Sequence, residues 1–212
     1  MSLHAVFDDL LAAYGPQYWW PGDTPFEVMM GAILTQNTAW GNVEKAIANL
    51  KKNDALTAEV IAGCGHDRLA AWLKPSGYFN IKATRLQNFC RWYLARGGFE
   101  ALSRWPTDEL RHGLLSVNGV GPETADAILL YAFERPVFVI DTYTRRLFSR
   151  LGLLHGTLGY ETLRGHFEAA LPMDVALFNE YHALIVRHAK HACRKRPLCE
   201  TCSLAANCLT AG

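Results

Sequence analysis

The chain has 212 residues, of which 50% are hydrophobic and 19% are charged, and its 21 Lys and Arg residues nearly balance its 20 Asp and Glu residues. This composition indicates a globular protein with one or two cores and excludes an intrinsically disordered chain. No apolar run approaches the ~18 residues of a membrane span, and the N-terminus lacks the pattern of a signal peptide. We therefore expect a cytoplasmic protein without a membrane partner. The near-neutral charge excludes a general polycation but not a local nucleic-acid-binding surface.

Helical spacing of apolar residues dominates the chain, and no pair of alternating segments indicates a β-hairpin. In chain order, helices are predicted over residues 3–13, 25–37, 42–52, 81–96, 107–115, 160–170 and 175–191. Pro25 fits the first turn of its helix, and the short β-branched run Val137–Ile140 is predicted to be an extended connector. The sequence therefore predicts an all-α fold with short turns that contain Gly and Pro.

A Gly-rich turn joins two apolar helical segments in the middle of the chain. It contains Gly119, Val120 and Gly121, and Pro122 stands at the predicted first position of the second helix. Two glycines permit a tight turn and the close approach of another molecule. The free amides at a helix N-terminus favour an anion such as a phosphate. The segment is therefore either a helix–hairpin–helix that holds a DNA phosphate through main-chain amides or an ordinary corner between helices.

Asp141 follows the apolar connector and directly precedes a predicted helix. A carboxylate at this position can cap the helix. It can also be a partly desolvated group that takes part in catalysis. The two interpretations are compatible in one residue.

Four of the six cysteines lie within the last twenty residues, at positions Cys193, Cys199, Cys202 and Cys208. Four thiolates in one short segment favour an iron–sulfur cluster, with zinc as the alternative. Zinc ribbons more often use two closely spaced Cys pairs, and only Cys199 and Cys202 form such a pair here. Disulfides do not suit a chain that we expect to be intracellular. The two other cysteines, Cys64 and Cys90, are predicted to be buried apolar side chains.

The hairpin sequence GVGPETA, Asp141 and the terminal cysteines together resemble the helix–hairpin–helix DNA glycosylases of the endonuclease III superfamily, from about Phe26 to Cys208. The resemblance implies two helical domains that flank a DNA-binding cleft: a barrel of residues 24–133 with the hairpin, and a second domain of residues 1–23 and 134–212. It implies that Asp141 is catalytic and that the four terminal cysteines bind a [4Fe–4S] cluster. The first gap between these cysteines is one residue shorter than in the best-known members. The expected partner is double-stranded DNA with a damaged base, bound by a monomer.

Glu123 departs from the pattern of the members that have lyase activity. Those members carry a lysine two residues after the second glycine, and its amine can attack the sugar and form a Schiff base that leads to strand cleavage. A carboxylate cannot form that imine, so the resemblance implies a monofunctional glycosylase that uses water and leaves an abasic site. Glu123 then either contacts the flipped base or is simply an acid favoured in the first turn of a helix.

The segment YWWPGDTPFEVMMGAILTQNTAW resembles the 3-methyladenine glycosylases of the superfamily. In those proteins a Trp-Trp-Pro stretch and the aromatic residue after TQNT form the base pocket, and the corresponding residues here are Trp19, Trp20, Pro21 and Trp40. Stacking on tryptophan favours the cationic or electron-poor rings of N-alkylated purines and is worth roughly 1–3 kcal/mol per base. The alternative is that these residues are ordinary core aromatics.

Further residues are candidates for contact with DNA. Gln36 and Asn37 end an apolar helix, and by resemblance Gln36 fills the space that the flipped base vacates; the alternative is a helix cap. Arg145 and Arg146 either touch backbone phosphates or stay solvated. A basic cluster in the first Cys loop either neutralises phosphates, which would make binding salt-dependent, or balances thiolate charge; its members are Arg194, Lys195 and Arg196.

The sequence therefore predicts a monofunctional DNA N-glycosylase of base excision repair that releases an alkylated purine, such as 3-methyladenine, by Asp-assisted hydrolysis. Two other enzymes fit the same motifs: a bifunctional glycosylase/AP lyase and a mismatch glycosylase. A non-catalytic iron–sulfur module that binds DNA is the alternative from a different functional class.

Overall fold

The computed structural model describes residues 1–19 and 22–211. This part of the chain is helical and contains no β-strand, which confirms the predicted all-α fold. None of its helices has the length and apolar character needed to span a membrane. The described residues form α1 Leu3–Tyr14, α2 Pro25–Leu34, α3 Trp40–Lys52, α4 Ala58–Gly63, α5 His66–Leu73, α6 Phe79–Ala95, α7 Gly98–Leu102, α8 Thr107–Leu115, α9 Pro122–Tyr131, α10 Thr142–Arg150, α11 Tyr160–Ala170 and α12 Val175–His191.

The predicted helices agree with the observed ones to within two residues at each end, with one exception. Helix α2 ends at Leu34 rather than at Asn37, because Thr35 is its C-cap and Asn37 has a left-handed backbone with φ of 55°. Helices α4, α5 and α7 were not predicted. They have 6, 8 and 5 residues, which is too short for apolar spacing to be recognised.

Residues Trp20–Glu134 form one compact unit. Helix α6 packs against α4 and α5, and α2 packs against α9. Helix α2 is buried on all sides from Val28 to Leu34, as expected for a helix that is apolar around its whole circumference. Helices α8 and α9 pack on each other and form the two arms of the Gly-rich turn.

Met1–Trp19 and Arg135–Gly212 form the second compact unit, in which α12 lies against α1 and α10. Its core is aromatic. The Phe138 ring stacks on Phe167 with centroids 4.1 Å apart and meets Tyr181 edge-on. The connector Val137–Ile140 has no regular secondary structure and is buried. Because Phe138 belongs to this connector, aromatic packing fixes the backbone immediately before Asp141.

Candidate functional site

Asp141 is the N-cap of α10, with extended backbone angles of φ −99° and ψ −177°. Its Oδ1 accepts hydrogen bonds from the backbone N–H of Thr144 at 2.7 Å and from the Thr144 hydroxyl at 2.9 Å. The amides and dipole of the helix N-terminus stabilise the negative charge. The carboxylate therefore caps the helix, and this position leaves its second oxygen, Oδ2, for another partner.

That partner is His182, whose Nε2 lies 3.5 Å from Oδ2 of Asp141. Both side chains are largely buried, with 8% of His182 and 12% of Asp141 exposed. Burial alone would raise the pKa of Asp141, but the contact with His182, its charge and the two hydrogen bonds from Thr144 outweigh burial and lower this pKa below its usual value. Asp141 is therefore a desolvated carboxylate that stays ionised at neutral pH.

Trp19 lies against His182 in the same unit. The two rings are nearly parallel, at an interplanar angle of 15° with centroids 5.6 Å apart, and Trp19 is half-buried. The structure thus brings one predicted pocket residue, Trp19, into contact with the immediate partner of the predicted catalytic residue. The other two members of the Trp-Trp-Pro stretch, Trp20 and Pro21, lie outside the described residues.

Trp40, the remaining predicted pocket residue, belongs to the other unit, where it begins α3. Its ring packs closely on α2, because a Cβ added to Gly31 would lie 3.1 Å from the Trp40 ring. The side chain is nevertheless half-exposed. The missing side chain of Gly31 therefore lets the Trp40 ring pack against the backbone of α2. The predicted role of Trp40 in base binding stays a prediction.

The Gly-rich turn has the predicted conformation. Gly119 has φ of 101°, and its backbone runs so close to Arg85 that an added Cβ would lie 2.3 Å from Cγ of Arg85. Gly121 is the N-cap of α9, with no side-chain cap and no atom within 4 Å of an added Cβ. The Val120 amide donates to Val117 O at 3.0 Å inside the turn, and the predicted contact of Val120 with a phosphate stays a prediction.

Glu123 lies in the first turn of α9, two residues after Gly121, and is exposed. An acid at this position is favoured by the helix dipole. Within the described part of this turn, the space beside Gly121 is open, so an anion can approach the N-terminus of α9 along the glycine rather than past the carboxylate.

Gln36 lies in the turn after α2, and its amide contacts the hairpin. Its Nε2 donates to Gly119 O at 3.0 Å and to the Thr124 hydroxyl at 2.9 Å, and its Oε1 accepts a hydrogen bond from Arg85. Thr35, rather than Gln36, caps α2, so the helix-cap alternative is wrong. Gln36 thus connects the Gly-rich turn, α9 and α6. Its predicted insertion into DNA would require these hydrogen bonds to break. Asn37, the next residue, is exposed.

A buried ion pair and a buried ammonium group hold the same unit together. The Arg111 guanidinium on α8 binds the fully buried Asp126 carboxylate on α9 through Nε to Oδ1 at 2.6 Å and Nη2 to Oδ2 at 3.1 Å. The Lys82 ammonium on α6 donates to Leu34 O at 2.8 Å and to Ser76 O at 2.7 Å. Burial, helped by the charge of Arg85, lowers the pKa of Lys82 to about 8. The Arg111–Asp126 ion pair joins the two arms of the hairpin, and the Lys82 ammonium fixes the end of α2.

The four terminal cysteines line one pocket. Arg150 binds its rim: Nη1 lies 3.3 Å from Cys193 Sγ and donates to Arg194 O at 2.6 Å, and Nη2 donates to Lys195 O at 2.9 Å. No three His, Cys, Asp or Glu side chains among the described residues converge on a point that would hold a single metal ion. Four thiols spread around one pocket are the donor set of a [4Fe–4S] cluster.

His188 packs beside the Cys pocket from α12. Its Nε2 lies 3.6 Å from Cys202 Sγ, and its Nδ1 lies 2.9 Å from the Tyr14 hydroxyl. The ring is fully buried, and burial lowers the pKa of His188 to about 4, so the imidazole is neutral at pH 7. A neutral imidazole between a hydroxyl and a thiol links α1 to the terminal Cys segment.

The predicted phosphate-binding residues fall into two groups. Arg194, Lys195 and Arg196 are exposed in the first Cys loop. Arg145 is instead engaged with its own unit, because its Nη1 donates to Leu158 O at 2.7 Å. Arg146 is engaged too, through a hydrogen bond from Nε to Cys193 O at 2.8 Å. The exposed loop residues are therefore the better candidates for contact with DNA.

Sequence reasoning missed His182 and Lys82 as members of the site. A signal for His182 was present, because His182 and His188 lie on the buried stripe of α12 together with Phe178 and Ile185. A polar residue on such a stripe needs a partner. Lys82 is likewise a polar residue next to a buried one, Ala83. Its two carbonyl partners, however, cannot be recognised in the sequence.

The family model of the HhH-GPD superfamily base excision DNA repair proteins matches residues 30–173. A candidate DNA repair glycosylase of Methanocaldococcus jannaschii is 46% identical over 211 residues, which cover 98% of this chain and 96% of the relative. The crystal structure of the H. pylori 3-methyladenine DNA glycosylase bound to 1,N6-ethenoadenine is similar with a TM-score of 0.77 and 30% identity, over 90% of this chain and 98% of that one. A non-covalent endonuclease III–DNA complex shares the fold, with a TM-score of 0.86 and 20% identity over 99% of this chain and 94% of that one.

Proposed function

The chain belongs to the HhH-GPD superfamily of base excision DNA repair proteins, and within this family of DNA glycosylases we propose that it releases N-alkylated purines by hydrolysis without cutting the strand. The observation that carries the proposal is the Asp141 carboxylate, which is buried and held ionised at the N-terminus of α10. An anion in a desolvated site is suited to a reaction that develops positive charge.

In this reaction the bond between C1′ and the purine nitrogen breaks, and its electron pair leaves with the base. The positive charge that develops at the sugar is stabilised by the Asp141 carboxylate, which Thr144 holds in place. Water then forms the new bond at C1′ and releases a proton to solvent. Fixed charge of this kind commonly contributes about 10²–10³-fold to a rate.

The proposed substrate class rests on the aromatic residues. An alkylated purine is cationic or electron-poor, and the face of a tryptophan ring attracts such a group. Trp19 stacks on His182, the neighbour of the Asp141 carboxylate, so we assign the base to this tryptophan. The similar H. pylori protein is a 3-methyladenine glycosylase in complex with 1,N6-ethenoadenine, which supports the choice of these two bases as probes.

The absence of strand cleavage is proposed from Glu123. The lyase reaction needs an amine that attacks the sugar, and the first turn of α9 carries a carboxylate at this position. In the same unit, the Lys82 amine is buried and occupied by two carbonyls, so it is not available as a substitute nucleophile. We therefore expect an abasic site as the product.

We propose that Cys193, Cys199, Cys202 and Cys208 hold a [4Fe–4S] cluster. Four thiols around one pocket fit this group, and Arg150 supplies positive charge 3.3 Å from Cys193 Sγ. When bound, the cluster supplies a structural cross-link within the C-terminal segment. Arg150 donates hydrogen bonds to Arg194 O and Lys195 O and so holds the backbone of the exposed basic loop. The side chains of this loop then contact DNA phosphates.

Base release from a panel of labelled duplexes tests the proposal. The panel contains 3-methyladenine, 1,N6-ethenoadenine, an oxidised pyrimidine and mismatches, and each reaction is split between borohydride and a strand-cleavage gel. The proposal predicts release of the alkylated purines, no covalent adduct and no cleavage. An adduct with borohydride would refute the assignment drawn from Glu123, and release confined to oxidised or mismatched bases would refute the substrate class.

A further inference from the structure

His182 is the residue of the candidate active site to which sequence patterns assigned no role. It contacts Asp141 on one side and Trp19 on the other, through a 3.5 Å approach of Nε2 to Oδ2 and a nearly parallel ring stack at 5.6 Å. We propose that His182 is a positioning residue for base release: it holds Oδ2 of Asp141 and ties the carboxylate to the aromatic face of Trp19. This inference rests on the proposed function.

The two carboxylate oxygens of Asp141 have different partners. Both hydrogen bonds from Thr144 reach Oδ1. A carboxylate held by one oxygen can still turn about its Cβ–Cγ bond, since this terminal torsion is soft. His182 Nε2 lies 3.5 Å from Oδ2, so the contacts on the two oxygens together favour one orientation of the carboxylate plane.

The contact between the two side chains has a direction. An ionised carboxylate only accepts hydrogen bonds, so the His182 nitrogen that faces it carries a proton. Trp19 stacks on one face of the imidazole, and Nε2 at the edge of the ring lies 3.5 Å from Oδ2. A base that stacks on Trp19 would therefore be held, through the imidazole, near the carboxylate.

The groups around Asp141 account for its charge state. On α10 the neutral Thr144 donates twice, and on α12 His182 supplies the positive or polar contact; these two are the groups that lower the Asp141 pKa against burial. From α11, the Tyr160 hydroxyl accepts a hydrogen bond from the backbone N–H of Ile140 at 3.4 Å. Glu180 on α12 is occupied by the Gln17 N–H at 2.6 Å. Without His182, of these two groups only Thr144 would remain to offset the rise in the Asp141 pKa that desolvation causes.

Three variants test the proposal. His182→Leu removes the polar contact at similar volume, His182→Gln keeps an N–H near the position of Nε2, and His166→Leu is the control, because His166 is exposed on α11 in the same unit. Release of 3-methyladenine is measured in single turnover from pH 3 to pH 8, so that the acid limb is included, with the rate of Asp141→Asn subtracted. Affinity for the same duplex is measured separately, and folding is checked by circular dichroism.

We expect His182→Leu to lower the release rate at pH 7 by roughly tenfold or more and to move the acid limb of the profile up by about one pH unit, the shift that corresponds to a tenfold change in protonation. Its DNA affinity should stay within about twofold of the wild type. His182→Gln should retain most of the rate and the acid limb, and His166→Leu should match the wild type. A folded His182→Leu protein with wild-type rate and acid limb would overturn the proposal.

A carboxyl-carbon NMR titration of Asp141 separates this inference from the proposed function. If the wild-type protein releases none of the probe bases, the proposed function fails, whereas the titration still tests the contact. We expect the Asp141 pKa to rise in His182→Leu, and an unchanged pKa would refute the role of His182 independently of activity. If the Leu variant does not fold, His182→Ala and His182→Gln give the same comparison, with a raised pKa expected only in the Ala variant.

Discussion

Gly119 and Gly121 allow folding of the hairpin to be separated from its binding of DNA. At Gly119 the backbone has φ of 101°, and an added Cβ would lie 2.3 Å from Cγ and 2.9 Å from Cδ of Arg85. At Gly121 φ is −95°, and nothing lies within 4 Å of an added Cβ. Alanine is therefore strained at the first position and accommodated at the second, where its methyl group projects into the space that a phosphate would use.

The cost at Gly119 has two parts. A non-Gly residue in left-handed backbone costs roughly 1–2 kcal/mol, and forcing a methyl group into packed atoms typically costs about 1–3 kcal/mol more. We therefore expect Gly119→Ala to lower the free energy of unfolding by about 2–5 kcal/mol. Gly121→Ala replaces only a glycine N-cap, for which we expect about 1 kcal/mol.

Urea unfolding and fluorescence anisotropy with a duplex that carries an abasic site measure the two effects. Gly121→Ala should stay folded and bind the duplex at least several-fold more weakly, because its methyl group keeps a phosphate from the α9 amides. Gly63→Ala, at an exposed glycine with no atom within 4 Å of an added Cβ, is the matched control and should change neither quantity strongly. Wild-type affinity in Gly121→Ala, or wild-type stability in Gly119→Ala, would refute this reasoning.

Three further predictions concern buried and exposed charges. Arg111→Met should lower the free energy of unfolding by roughly 3–5 kcal/mol, because it leaves a buried carboxylate unpaired, and adding Asp126→Leu should recover most of the loss; equal stability of single and double variants would contradict this. The Lys82 pKa is lowered to about 8 in the folded chain, so between pH 8 and 10.5 the unfolded chain binds more protons at Lys82 than the folded chain does. The free energy of unfolding of the wild type should therefore rise relative to that of Lys82→Met across this window. A constant difference between the two proteins in urea unfolding would contradict the burial of the Lys82 charge. Lys195→Ala combined with Arg196→Ala should reduce the slope of log K for DNA against log salt by about 2; an unchanged slope would exclude the loop from the DNA interface.

The sequence predicted those parts of the site that depend on neighbouring residues. Pro122 after Gly121 marks the start of α9, and an acid after an apolar connector marks the cap of α10; both are local patterns. The partners of Lys82 and Gln36 could not be predicted in this way. Lys82 contacts Leu34, 48 residues away, and Gln36 contacts Gly119, 83 residues away, so these contacts exist only once the helices have packed.

The roles of arginines show the same limit. Arg145 and Arg194 look alike in the sequence, since both are basic residues near a predicted functional element. In the folded unit Arg145 reaches forward to Leu158 O at 2.7 Å, whereas Arg194 is exposed and donates from Nε to Lys190 O, four residues earlier, at 2.9 Å. Which of two similar side chains stays exposed depends on how the fold packs around it, and this information is not local.

Single-turnover release of 3-methyladenine by the wild type and by Asp141→Asn measures how far the Asp141 carboxylate drives base release. We expect the wild type to yield free base and an intact strand with an abasic site. Asp141→Asn, which keeps the shape of the side chain, should react at least about 10²-fold more slowly while binding the product duplex with similar affinity. Equal rates of release by the two proteins would contradict the account.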